Sequence, residues 1–79
     1  MNKHEVNRVE GSELTEVEIR ILNLLASGQS VKETAASLFM SKVGVNRSIA
    51  RIVGKLAATN RSQAVAIGCR KGIIDLKWR

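Results

Sequence analysis

Seventy-nine residues make one small domain, close to the lower size at which a single core holds without disulfides or metal. A hydrophobic content of 44% rules out a disordered tail, and the absence of Pro, with one Phe and one Trp, favours an all-helical bundle. The net charge of +6 is confined to the second half: residues 1–12 sum to zero, 13–40 to −2, 41–56 to +4 and 57–79 to +4, as expected of a protein that turns one side to a polyanion.

Residues 1–12, MNKHEVNRVEGS, lack periodicity, end in Gly-Ser and read as a mobile arm ahead of a domain over 13–79. Thr15 and Glu18 then form a capping box, flanked by Leu14 and Ile19 at the two positions of a hydrophobic staple. The helix that follows, about 16–27, buries Ile21, Leu22 and Leu25 and stops at Gly28, which takes a left-handed turn at little cost.

Ser30 and Glu33 make a second capping box two residues later, opening a short helix that closes near Leu38. Its apolar positions are Ala35, Ala36 and Leu38, small enough at the alanines for another helix to approach closely. Phe39 and Met40 bridge to Ser41, the N-cap of a longer helix reaching Leu56. Val45, Ile49, Ile52, Val53 and Leu56 form one apolar face of that helix. The opposite face carries Lys42, Val43, Asn46, Arg47, Ala50, Arg51 and Gly54, with Lys55 at its edge and no acid. Asn and Arg pair bidentately with base edges, and Lys and Arg neutralise phosphate, so such a face suits a major groove as well as plain solvent.

Ala57–Thr59 leads to Asn60, a fourth N-cap, and a last helix over about 61–71 that stops at Gly72. Its apolar residues, Ala64 to Cys69, spread around more than one face, and surplus apolar surface at Val65 and Cys69 fits a symmetric dimer contact. Ile73, Ile74, Leu76 and Trp78 of the tail either pack back on the bundle or join that contact.

The single Cys69 excludes an intrachain disulfide and reads as a small buried or half-buried apolar residue. His4 has no second residue for metal ligation or catalysis, and no nucleophile–base pair, metal cluster or phosphate-cradling Gly loop is found. No enzyme, metal or cofactor is expected. With no signal peptide or membrane-length apolar run, the expected compartment is the cytoplasm, away from membranes.

A short helix, a tight turn and a longer basic helix make a helix-turn-helix, although an ordinary helical hairpin has the same outline. Leu14-Thr15 with Glu18, Ala26-Ser27-Gly28, Lys32-Glu33, Ala35, Leu38-Phe39, Ser41, Val45, Lys55-Leu56 and Asn60-Arg61 fall in order without a gap. Over Leu14–Ile74 this pattern resembles the LuxR-type helix-turn-helix DNA-binding domain, in its stand-alone GerE-like form. The resemblance implies an all-α fold of four helices, the third reading double-stranded DNA and the fourth forming a two-fold dimer. It puts base reading on Val43, Asn46, Arg47, Ala50 and Arg51, and phosphate contact on Lys32, Ser41, Lys42, Lys55 and Arg61.

The chain departs from the family where Gly44 replaces the usual Thr, Ser48 the usual His and Asn46 a frequent Lys. No sensor domain is attached in this reading, so a signal is expected to act through expression level, a partner or the arm. The expected function is a sequence-specific DNA-binding transcription regulator, a homodimer with helix 42–56 in the major groove. The alternative, fed by Gly44 and Ser48, is a protein-binding antagonist that pairs with a full-length LuxR-type regulator through the last helix.

Overall fold

Each helix starts at a side chain that satisfies one of its free backbone N–H groups. The computed structural model describes residues 14–74; the arm over 1–12 and the tail residues Leu76 and Trp78 lie outside the described residues. Within them are four helices: α1 (Glu16–Ala26), α2 (Val31–Leu38), α3 (Lys42–Lys55) and α4 (Arg61–Arg70). Each expected helix is present, to within a residue or so at either end.

Both capping boxes form. The Glu18 N–H donates to Thr15 Oγ1 and the Thr15 N–H to Glu18 Oε1, and Ser30 and Glu33 repeat the exchange. Ser41 Oγ accepts from the Gly44 N–H at 2.9 Å, with no acid to answer it. At α4 the Gln63 N–H donates to Asn60 Oδ1, while the Gln63 amide oxygen reaches one residue further back, to Thr59.

The helices close alike. The Gly28 N–H donates to the Leu25 carbonyl and the Gln29 N–H to that of Leu24, the paired bonds of a Schellman turn. Gly28 supplies the positive φ, 102°, that such a turn requires. The turns after α2 and α3 are built the same way, but on Phe39 (φ 56°) and Ala57 (φ 55°).

Ile21 and Leu22 of α1, Val45 and Ile52 of α3, and Ala64 and Ile67 of α4 meet in one core with Leu14 and Ala35. Ile73 and Ile74 are buried in it too, so this part of the tail packs back on the bundle. Gly68 lets α4 sit close on α1, since a Cβ there would stand 2.9 Å from Leu22 Cδ2. The apolar face expected of α3 is the one turned to the core, with Val45, Ile52 and Leu56 buried and Ile49 and Val53 half-buried, which leaves its basic side outward. Three expectations need correction, the first being Leu25, which is half-buried at the edge of the core. Cys69 is exposed, because the helical turn carries it past the core-facing Ala64, Ile67 and Gly68. Ala36 is exposed likewise, only Ala35 of the pair facing the core.

Candidate nucleic-acid interface

Lys42, Val43, Asn46, Arg47, Ala50 and Arg51 are all exposed on α3, with Val43 presenting an apolar side chain at 60% exposure. Asn46 and Arg47 form no side-chain hydrogen bond or ion pair among the described residues, which leaves the amide and the guanidinium fork for an outside partner. The first turn of α3 carries Lys42 and no acid, whereas α1 and α2 place Glu16, Glu18 and Glu33 in theirs. The positive end of the α3 dipole is therefore reinforced, an arrangement that attracts anions.

The other expected phosphate contacts are less uniform. Lys32 is exposed in the first turn of α2. Ser41 is exposed, with its oxygen taken up by the Gly44 N–H and its own O–H still able to donate. Arg61 is exposed at the first position of α4 and lines a shallow cleft with Ser30, Gln29 and Val65, so the starts of α2 and α4 share one side. Lys55 differs: its ammonium donates to both carboxylate oxygens of Glu18, at 2.9 and 3.2 Å. Its side chain, 29% exposed, is turned to that carboxylate.

Glu18 is the residue of this site that the sequence reading left in a purely local role. Its side chain is 5% exposed, and besides the Thr15 N–H and Lys55 it faces Arg51 Nε at 3.5 Å. Burial by itself would push this carboxyl up; the Thr15 N–H, Lys55 and Arg51 together outweigh it and hold it below its ordinary value. Arg51 Nη2 in turn donates to Ser48 Oγ at 3.2 Å. Ser48 is buried, 3% exposed, so this position lies under the exposed face of α3 and not on it. The signal was present in the spacing: Val45, Ser48 and Ile52 follow at i, i+3 and i+7, the period of one helix face.

On α4, Val65 is half-buried against the core, and Cys69, one turn on, is exposed with Ala66 beside it. The two residues expected at a dimer contact thus share a face, Val65 rooted in the bundle and Cys69 outside it. Among the described residues there is no group of His, Cys, Asp or Glu that could hold a metal, and no helix is long and apolar enough to cross a membrane.

Comparison with known proteins fits this geometry. Residues 12–67 match the family described as bacterial regulatory proteins, luxR family. The transcriptional regulatory protein YdfI of Bacillus subtilis is 35% identical over 65 residues, covering 82% of this chain and 30% of its own length. The CsgBAC operon transcriptional regulatory protein of Escherichia coli is 42% identical over 60 residues, 76% of this chain and 28% of that protein. The chain therefore spans under a third of the length of these curated relatives. Among solved structures, that of the transcription factor GerE superposes with a TM-score of 0.78 at 33% identity, covering 81% of this chain and 96% of that one. A phage VqmA–DPO complex gives 0.72 at 30% identity, over 80% of this chain and 29% of that one.

Proposed function

Since the chain belongs to the luxR family of bacterial regulatory proteins, with the GerE-like all-α helix-turn-helix fold, we propose that it is a sequence-specific DNA-binding transcription regulator acting as a homodimer. In this reading residues 13–79 form one domain, α3 lies in the major groove, and the protein works in the cytoplasm. The observation that carries it is the outward face of α3: Asn46 and Arg47 exposed and unpartnered among the described residues, on a helix without an acid. Asn matches the adenine edge bidentately and Arg the guanine edge. Val43 and Ala50 offer apolar contact to thymine methyls, while Lys42, Lys32, Ser41 and Arg61 supply the phosphate contacts that set register. Arg51 belongs to the base-reading set, and Lys55 acts chiefly by holding α3 to α1.

Val65 and Cys69 form the two-fold contact, since an exposed small-residue face on a helix rooted in the core lets a second copy approach closely. The same face of α4 would accept a full-length luxR-type regulator instead of a second copy, and Gly44, which leaves the α3 start without a side chain, favours that antagonist reading. Ser48 lies beneath the exposed face, at 3% exposure, and so weighs less for that reading than Gly44 does.

Selection of bound sequences from a random DNA pool at two salt concentrations tests the assignment. A shared two-fold motif, with affinity that falls as salt rises, is the expected result. Absence of any preference at low salt, together with mixed dimers formed with a full-length family member, would replace it with the antagonist.

A further inference from the structure

Arg51 differs from Arg47 in one respect: its guanidinium is already held. Nε faces Glu18 Oε2 at 3.5 Å and Nη2 donates to Ser48 Oγ at 3.2 Å, although the side chain stays 58% exposed. Guanidinium carries five N–H donors in a planar fork, with Nε and one N–H of Nη2 along one edge. Glu18 and Ser48 occupy that inner edge. The outer edge, formed by Nη1 and the second N–H of Nη2, has no partner among the described residues. Val43, Arg47 and Arg51 follow one another at four-residue steps, so Arg51 and Arg47 share one exposed side of α3.

We propose that Glu18 and Ser48 are positioning residues for base reading: they fix the Arg51 fork so that its outer edge is presented to a guanine O6/N7 edge in the groove. The inference rests on the DNA-reading assignment above. Two anchors of different kinds support it. Glu18 comes from α1 and is buried, so it fixes the fork relative to the whole bundle as well as to α3. Ser48 lies beneath the face, 3% exposed, and its small side chain leaves the guanidinium room to lie against the helix. A long side chain held in this way has lost its rotamer freedom before DNA arrives, so ordering it on binding costs little. The Arg51 charge is also partly answered by Glu18, which directs it to specificity more than to general attraction for phosphate.

The test uses the full chain and a site obtained by selection, with affinity measured on that site and on random DNA across a salt series. Arg51→Ala is expected to lower the preference for the selected site about tenfold or more while leaving the salt slope nearly unchanged. Ser48→Ala, which keeps the charge and the helix, is expected to lower the preference about fivefold in the parent and not at all in the Arg51→Ala background. Ser48→Thr, which restores a hydroxyl, should recover it. Equal losses from Ser48→Ala in both backgrounds would overturn the proposal, as would Arg51→Ala weakening selected and random DNA alike with a slope lower by about 1, the mark of a phosphate contact. A parent without sequence preference would remove the DNA-reading assignment itself; a parent with preference and an inert Ser48 removes only this inference.

Discussion

Glu18 Oε1 accepts a hydrogen bond from the Lys55 ammonium at 2.9 Å, tying the first turn of α1 to the last residue of α3 across 37 positions of sequence. With Thr15 and Arg51 on the same carboxylate, one buried acid fixes both the start of the bundle and the angle of the helix that carries the basic face. A partner lost from such a buried pair leaves the remaining charge uncompensated, so the link is more costly to break than a surface ion pair.

Stability should therefore depend on pH through Glu18. Its carboxyl is held below the ordinary value in the fold, so its contribution is present above the unfolded value, about 4.3, and is lost as pH falls through the lower folded one. Glu18→Gln is expected to be less stable than the parent at pH 7 and to approach it as the pH drops below about 4.3. Urea unfolding of both proteins along that descent checks this; parallel curves would show that the carboxylate charge contributes nothing.

Two glycines should respond in opposite directions to the same substitution. At Gly68 a Cβ would stand 2.9 Å from Leu22 Cδ2, and Gly68→Ala should destabilise by about 1–3 kcal/mol. At Gly54, exposed in the last turn of α3 with open space around it, Gly54→Ala should stabilise by up to about 1 kcal/mol through helix propensity. Thermal unfolding followed by circular dichroism separates the two, and a loss at Gly54 would contradict the open surroundings.

Lys42 and Arg47 should separate charge from reading. Lys42→Ala is expected to weaken binding to every sequence alike and to lower the salt slope by about 1. Arg47→Ala should cost about 1–3 kcal/mol on the preferred site and much less on random DNA. Arg47→Lys should keep the salt dependence and lose the preference, because an ammonium lacks the planar fork. Equal losses on both kinds of DNA would take Arg47 out of the base-reading set.

Cys69 offers the cleanest probe of self-association, since it is exposed where Val65 is partly core. Cys69→Glu should leave the helical spectrum unchanged while abolishing the proposed dimer, because the introduced carboxylate would meet its own copy across a two-fold axis. Sedimentation equilibrium gives the answer; unchanged association would place the contact elsewhere.

The helices were legible because their signals are local. Thr15, Ser30, Ser41 and Asn60 each accept from a backbone N–H three residues on, as their positions ahead of apolar periods imply. The outward face of α3 was legible for the same reason, since helical period alone separates Val45 and Ile52 from Asn46 and Arg47. What could not be read was the pairing of Lys55 with Glu18. A lysine beside a basic face looks identical whether it points to phosphate or to an acid 37 residues away, and only the crossing of α1 and α3 decides. Thr34 is a different case: its Oγ1 is buried without a hydrogen-bond partner among the described residues, and nothing in the structure explains it.

The Schellman turns, repeated after α4 where the Gly72 N–H donates to the Cys69 carbonyl and the Ile73 N–H to that of Gly68, also bear on how the chain folds. Every helix starts on a side chain three residues from its N–H partner and stops on bonds spanning a single turn, so each can form and end without waiting for distant contacts. Chains dominated by such short-range closures search little loop entropy before collapse and fold on the order of microseconds to milliseconds. For a protein of this size the consequence is kinetic: a nascent chain leaves little time for its apolar helices to be captured by other chains before they have found one another.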